Sequence, residues 1–307
     1  MQAKHKIKLL EKKIDALNRR LANCDICPRN CQVNRLEDEQ GYCKTGKDLI
    51  IYTHFLHKGE EPPVSVGKGS GTIFFSGCNL KCAYCQNYKF SHQLKGKKTN
   101  EEELAGYMLD LQKEGASNIN LVTPTHFLPQ ILKALSISFR DGLNIPIVYN
   151  TSGYEKKEII KQLEGIVDIY LTDLKYLEPS LSAKHCKAPD YPEFAKEAIK
   201  EMHRQAKQLL KESLIVRHLV LPNHIQESKQ VLSWIKKNLP KGLLSLMFQF
   251  RPYFRANTLE DINRPLDTAE YQEIKKFCEE LDIQGWVQDL QTQEDMAGVY
   301  FEPDVEK

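Results

Sequence analysis

From residue 71 onward the chain alternates short apolar runs with amphipathic stretches, and this rhythm restricts the fold more than any other feature. Runs at 71–76, 118–122, 145–150, 167–172, 214–221 and 243–250 are predicted strands, and 286–290 is a short last one. Between them the helical period predicts helices at 99–115, 127–139, 155–164, 191–210, 225–238 and 267–281. The first of these opens with a capping box, Thr99 as N-cap and Glu102 at N3. Strands that alternate with helices pair in parallel, because parallel neighbours need a crossover. Six units do not close an eight-stranded barrel, so the expected fold is α/β, an open or partial barrel of six β/α units. In such sheets the site lies at the carboxyl ends of the strands.

The N-terminal part differs. Leu10, Ile14, Leu17 and Leu21 recur at helical spacing, which predicts an amphipathic helix over 1–21. The same stretch lacks serine and carries Glu11 and Asp15, so it reads as a packed helix rather than a transit peptide. Residues 22–69 hold four cysteines, the turn pairs Cys27-Pro28 and Pro62-Pro63, and little periodicity. They are expected to form a loop-rich segment that needs a staple. The domain reading is therefore 1–69 for the helix and Cys-rich extension, 70–290 for the barrel, and 291–307 for a tail. No secretory signal and no run of about 18 apolar residues is visible, so a cytoplasmic protein with no membrane partner is expected. With 43 basic and 41 acidic residues there is no charge excess for nucleic acid, and no nucleic-acid partner is expected.

In a reducing compartment nine cysteines point to metal or redox chemistry rather than disulfides. Cys78, Cys82 and Cys85 follow the first barrel strand with C-x3-C-x2-C spacing. Three thiolates leave a metal centre one open position, as catalytic sites do. Zinc completed by a distant histidine, or thiols packed as small apolar groups, is the plainer alternative. Cys24, Cys27, Cys31 and Cys43 form C-x2-C-x3-C-x11-C, four thiolates, the closed structural count. Zinc and a second 4Fe–4S cluster both fit this set, with a slight preference for the cluster. Cys186 and Cys278 have no partner at metal-like spacing and read as free thiols, while His54 and His57 are a weak supplement to the N-terminal set.

Other polar residues fall at the expected strand ends: Thr123, Thr125 and His126 after the second, Asn150, Thr151, Ser152 and Gly153 after the third. His126 reads equally as a proton carrier or as a hydrogen-bonded loop residue. Asp173 and Lys175 share one side of the fourth strand, Arg217 lies in the fifth, and Arg251 and Tyr253 follow the sixth.

The C-x3-C-x-Tyr-C motif, with the stretch from Gly69 to Asn87, resembles the radical S-adenosylmethionine (SAM) superfamily, in the branch of pyruvate formate-lyase activating enzyme. The segment from Cys24 to Arg35 with Gly41-Tyr42-Cys43, together with Asp173-Leu174-Lys175 and Arg217-His218-Leu219-Val220-Leu221-Pro222, is similar to activating-enzyme-like proteins of that branch. The resemblance covers nearly the whole chain. It implies a 4Fe–4S cluster on Cys78, Cys82 and Cys85, with SAM chelating the fourth iron. It also implies that Tyr84 shields the cluster near the adenine, and that Asn87, Asn150, Thr151, Ser152, Asp173, Lys175 and Arg217 contact SAM. The family's Gly-Gly-Glu-like turn after the second strand is missing, and the hydroxyls of Thr123 and Thr125 stand in its place. The histidine that better-known activases carry after the sixth strand has no clear match. The implied activity is reductive cleavage of SAM to a 5′-deoxyadenosyl radical that takes hydrogen from substrate. A glycyl-radical protein is the implied partner, with an electron donor such as flavodoxin or ferredoxin. The alternatives are radical modification of a small molecule or RNA, and a non-catalytic metal-stapled binding protein.

Overall fold

The computed structural model describes residues 2–209 and 213–288. Helix α1 (Gln2–Arg19) is followed by the cysteine-bearing segment, then β1 (Leu49–His57) and β2 (Ser70–Phe75). Next come α2 (Tyr88–Ser91), β3 (Lys97–Thr99), α3 (Glu101–Glu114), β4 (Ile119–Val122), α4 (Leu128–Arg140), β5 (Ile147–Thr151) and α5 (Lys157–Lys161). The chain continues through β6 (Ile169–Asp173), α6 (Pro179–Cys186), α7 (Tyr191–Ala206), β7 (Leu214–Leu219), α8 (Ile225–Asn238), β8 (Leu243–Met247), α9 (Thr268–Leu281) and β9 (Gly285–Gln288). One sheet has the order β3-β1-β2-β4-β5-β6-β7-β8-β9, parallel from β2 to β9. It begins at β3 and ends at β9 without closing, so the α/β partial barrel expected from the sequence is the observed architecture. Leu210, Leu290 and the 291–307 tail lie outside the described residues.

The central parallel strands β4, β5 and β6 are buried on both faces, as near-continuous apolar runs require. The outer face packs under the helices, and α1 lies along α4 with Leu10 and Leu17 inside the core. Inside the barrel Val64, Val148, Leu171 and Ile215 form an apolar floor. Val64 belongs to the link between β1 and β2, which plugs this end; its carbonyl accepts from the Ser117 hydroxyl and the Asn118 amide. Each such buried side chain contributes about 1.5–3 kcal/mol.

Two expectations are corrected. Residues 22–69 are not loop throughout. Residues 49–57 form β1, antiparallel to both β2 and β3. Half-buried Tyr52, Thr53, His54 and His57 blur its apolar alternation, and His54 stacks on Tyr107 of α3 at 4.0 Å. The capping box on α3 uses Asn100 and Glu103, one residue later than expected. Thr99 is still in β3, paired with Leu49, and Asn100 Oδ1 accepts from Glu103 N at 2.8 Å while Glu103 accepts from Asn100 N.

Candidate cofactor site at the strand ends

Two residues beyond the apolar floor, the same strands turn polar. Period two therefore puts Asn150, Asp173 and Arg217 above Val148, Leu171 and Ile215. They line a cavity of about 700 Å³ at the carboxyl ends of the parallel strands. Cys78, Cys82, Cys85, Tyr84, Asn87, Thr123, Thr151, Ser152 and Lys175 line it as well.

The cysteine loop starts at Gly77, where the backbone takes φ 85° and a Cβ would meet the Cys43 carbonyl at 2.8 Å. The loop is fixed by its backbone. Leu80 N–H points at Cys78 Sγ, 3.3 Å away, Lys81 N–H donates to Cys186 O, and Ala83 N–H donates to His185 O at 2.7 Å. Burial pushes the Cys78 thiol up to about 12 and the Cys85 thiol up to about 11. Three thiols, Cys82 buried and Cys78 and Cys85 half-buried, line one cavity, and such a donor set fits a metal centre. Asn87, just before α2, lines the same cavity, and its Oδ1 is buried without a hydrogen-bond partner.

Cys186, expected to be partnerless, is brought beside this set, its Sγ 3.3 Å from Cys82 Sγ. Nothing in the spacing signals this, because the two residues are 104 positions apart. The hydrogen bond shared with Cys186, to which the Cys82 thiol gives its proton, and burial together hold the Cys82 thiol well above its ordinary range. The Tyr84 hydroxyl lies 3.8 Å from Cys186 Sγ and accepts from the Tyr176 hydroxyl at 3.1 Å. Cys278 packs as a buried thiol in α9, as expected.

The strand-end residues divide into those facing the cavity and those committed elsewhere. Thr123 faces it with a left-handed backbone, φ 59°, strained for a β-branched residue. Thr125 does not line it. Its hydroxyl donates at 2.6 Å to Glu155, a fully buried carboxylate that also accepts from Thr151 at 2.5 Å and Tyr149 at 3.2 Å. Burial pushes the Glu155 carboxyl up to about 7, against those hydrogen bonds. The sequence reading missed Glu155, whose only signal was a charged residue after a Ser-Gly turn. His126 is a structural residue, because its Nε2–H donates to Ser76 O at 2.7 Å and burial pushes its pKa down to about 3.

Lys175 Nζ meets Asp173 Oδ2 at 2.5 Å. Burial is the largest influence and works against the lysine's charge, but Asp173, Cys82, Tyr191 and Cys186 together outweigh it and raise the pKa. Tyr191 locks these strand ends together, its one hydroxyl proton shared between Ser152 O at 2.9 Å and Asp173 O at 3.0 Å while its oxygen accepts from Lys175 N. Arg217, expected to contact SAM, lines the cavity, and its guanidinium bonds both oxygens of Glu61 at 2.6 Å and also pairs with Glu60, both from the plug segment. Neither glutamate was signalled by the sequence, since each is more than 150 residues from Arg217. Glu60 lines the cavity, whereas Met247 and Gln249 line it where Arg251 and Tyr253 were expected.

The N-terminal cysteines gather in a tight turn structure. Cys24 N–H donates to Val33 O, Gln32 N–H to Cys24 O, and Tyr42 N–H points at Cys31 Sγ, 3.2 Å away. Burial pushes the Cys27 thiol up, and the neighbouring Cys43, Cys24 and Cys31 add to the shift. No three of these sulfurs lie within 4.8 Å of one another among the described residues. The segment packs on the first cysteine loop. Arg29 donates to Asn79 O at 2.8 Å and stacks on Tyr42 at 3.8 Å.

The family model of the Radical SAM superfamily matches residues 72–235. An uncharacterized protein of Methanocaldococcus jannaschii is 37% identical over 282 residues, 88% of this chain and 78% of that protein. A second uncharacterized protein of the same organism is 23% identical over 268 residues, 80% of this chain and 75% of its own length. Among solved structures, a radical SAM methyltransferase from Sphaerobacter thermophilus superposes with a TM-score of 0.51 at 14% identity, covering 71% of this chain and 66% of that one. That likeness concerns the fold. No described helix is long and apolar enough to cross a membrane.

Proposed function

The chain belongs to the radical SAM superfamily, and from that premise we propose that it cleaves SAM reductively and turns the resulting 5′-deoxyadenosyl radical on a glycyl-radical protein. The observation that carries the radical reading is one cavity lined by Cys78, Cys82 and Cys85 together with Asn150, Asp173, Lys175 and Arg217. In this reading the three thiolates hold a 4Fe–4S cluster, which supplies the single electron needed to break the sulfonium bond of SAM.

The chain's own residues then bind and orient. Tyr84 covers the cluster side, and Asn87 offers its unpartnered Oδ1 to the adenosyl part. Asn150 and Ser152 supply polar contacts, while Lys175 offers its ammonium to the carboxylate of SAM. Arg217 shares its charge between two glutamates, so this wall keeps excess negative charge, which suits a cationic sulfonium. Of the two threonines standing in for the missing turn, only Thr123 faces the ligand. The apolar floor and the plug keep bulk water from the far end. The four N-terminal thiols are proposed to hold a second metal centre, with the C-x2-C-x3-C-x11-C spacing leaning slightly to a cluster over zinc.

The glycyl-radical target is supported by the resemblance of the 173–175 and 217–222 stretches to the activating-enzyme branch, and by a sheet that does not close. A cavity large enough to hold SAM and a small substrate together supports the second reading, modification of a small molecule. The assay that separates them incubates reduced enzyme, SAM and a candidate glycyl-radical protein without oxygen. A SAM-dependent organic doublet in the spin-resonance spectrum is the expected result. If 5′-deoxyadenosine forms only with a small molecule and no candidate protein gains a radical, the activase reading is rejected.

A further inference from the structure

Outside the cavity, three side chains from three segments converge: His185 in the last turn of α6, His224 just before α8, and Asp261 in the loop between β8 and α9. Their ligand atoms lie within 4.8 Å of one another. His185 Nε2 is 2.8 Å from Asp261 Oδ2, and His224 Nε2 is 3.1 Å from the same oxygen. Lys184 Nζ also reaches this oxygen, at 2.7 Å, from a side chain that is 48% exposed. Three donors thus crowd Oδ2, while Asp261 Oδ1 is buried with no partner at all. That distribution is uneven for a hydrogen-bonded ion cluster. A cation placed among the three groups would use both imidazole lone pairs and the idle carboxylate oxygen.

The surroundings orient the ligands as metal sites do. The other ring nitrogen of fully buried His185, Nδ1, is 3.1 Å from the Tyr176 hydroxyl, and the Asp261 carbonyl is held by Asn223 Nδ2 at 2.9 Å. We infer that His185, His224 and Asp261 form a binding site for a divalent transition-metal ion such as zinc or ferrous iron, from which the Lys184 ammonium is displaced. Two imidazoles and a carboxylate suit these ions and leave coordination positions open. The ion bolts α6 and the Asp261 loop to the start of α8. The cysteine loop hangs on the same frame: Ala83 N–H donates to His185 O, Lys81 N–H to Cys186 O, and Arg255 N–H to Ala83 O. Occupancy therefore stiffens the backbone between Cys82 and Cys85, whatever reaction the cavity performs.

The test titrates anaerobically reconstituted full-length protein with Zn²⁺ against a chromogenic chelator, with cluster content checked by sulfide analysis. One zinc equivalent should be lost or weakened at least about tenfold in Asp261→Asn and in His224→Ala. His224 is partly exposed, so its variant carries the test if the other misfolds. Lys184→Met removes the competing ammonium and should bind zinc more tightly than wild type. A hydrogen-bonded ion cluster without metal predicts no such gain. Equal stoichiometry and affinity in wild type, Asp261→Asn and His224→Ala, or weaker binding by Lys184→Met, would overturn the inference.

Discussion

Glu155 offers a measurement whose sign follows from the structure. Its carboxyl is fully buried, accepts three hydroxyl hydrogen bonds on Oε1, and has no partner for Oε2. Burial is the larger effect, so the folded protein holds the proton up to about pH 7, while an exposed glutamate releases it near 4.5. Between those values the folded state binds the extra proton. Stability therefore falls as pH rises through that window and stays low above it. A rise from 4.5 to about 7 corresponds to about 3 kcal/mol once both states are ionised. Glu155→Gln keeps an oxygen for the three hydroxyls and removes the titration. Its amide lacks an acceptor, a pH-independent cost of about 1–3 kcal/mol. The assay is urea unfolding of the reconstituted wild type and variant at several pH values, read as the difference between them so that shared cluster effects cancel. From about pH 5 to about pH 8 the wild type should lose about 2.5 kcal/mol more than the variant. Parallel stability curves across that range would mean that Glu155 is ionised in the folded state and would refute the burial argument.

Replacing Cys78, Cys82 and Cys85 together with alanine should abolish SAM cleavage, and metal analysis of that variant tests the N-terminal set. With Asp261→Asn added, so that zinc at the His185 and His224 cluster does not count, four residual irons mean a second cluster, one zinc a structural ion, and no metal rejects the site. Lys175→Ala should weaken SAM binding by about 10- to 150-fold, the loss of one charge-assisted contact worth roughly 1.5–3 kcal/mol, with the cluster spectrum intact. A lower melting temperature with unchanged affinity would assign the Asp173–Lys175 pair to stability instead. Arg217→Ala strands Glu60 and Glu61 as unpaired buried charges and should cost about 3–5 kcal/mol. Adding Glu61→Gln should recover part of that, and no recovery in denaturant unfolding would show that the pair carries no such strain. In cluster-free protein treated with diamide, mass spectrometry should find a Cys82–Cys186 disulfide, because their sulfurs are 3.3 Å apart. Its absence while other cysteines cross-link would contradict the observed placement.

Six strands were legible because a parallel strand buried on both faces must be apolar over its length, a property confined to a few consecutive residues. The strand-end positions of Cys78, Asn150, Asp173 and Arg217 were legible for the same reason, since period two and the carboxyl-end rule need only local register. β1 was not, because beyond Ile51 its residues are all half-buried and mix polar with apolar, His54 stacking on Tyr107 of α3, so the apolar alternation breaks. What each site residue faces depended on contacts between residues far apart in the chain. Tertiary packing turned Thr125 and Thr151 toward Glu155, gave Arg217 to Glu60 and Glu61, and set Cys186 beside Cys82. By itself the sequence determined which chemical groups reach the strand ends, because chain geometry repeats every two or 3.6 residues. The tertiary structure alone decided which of those groups remain free for a ligand, because a buried charge or hydroxyl takes whatever partner packing brings within hydrogen-bond reach.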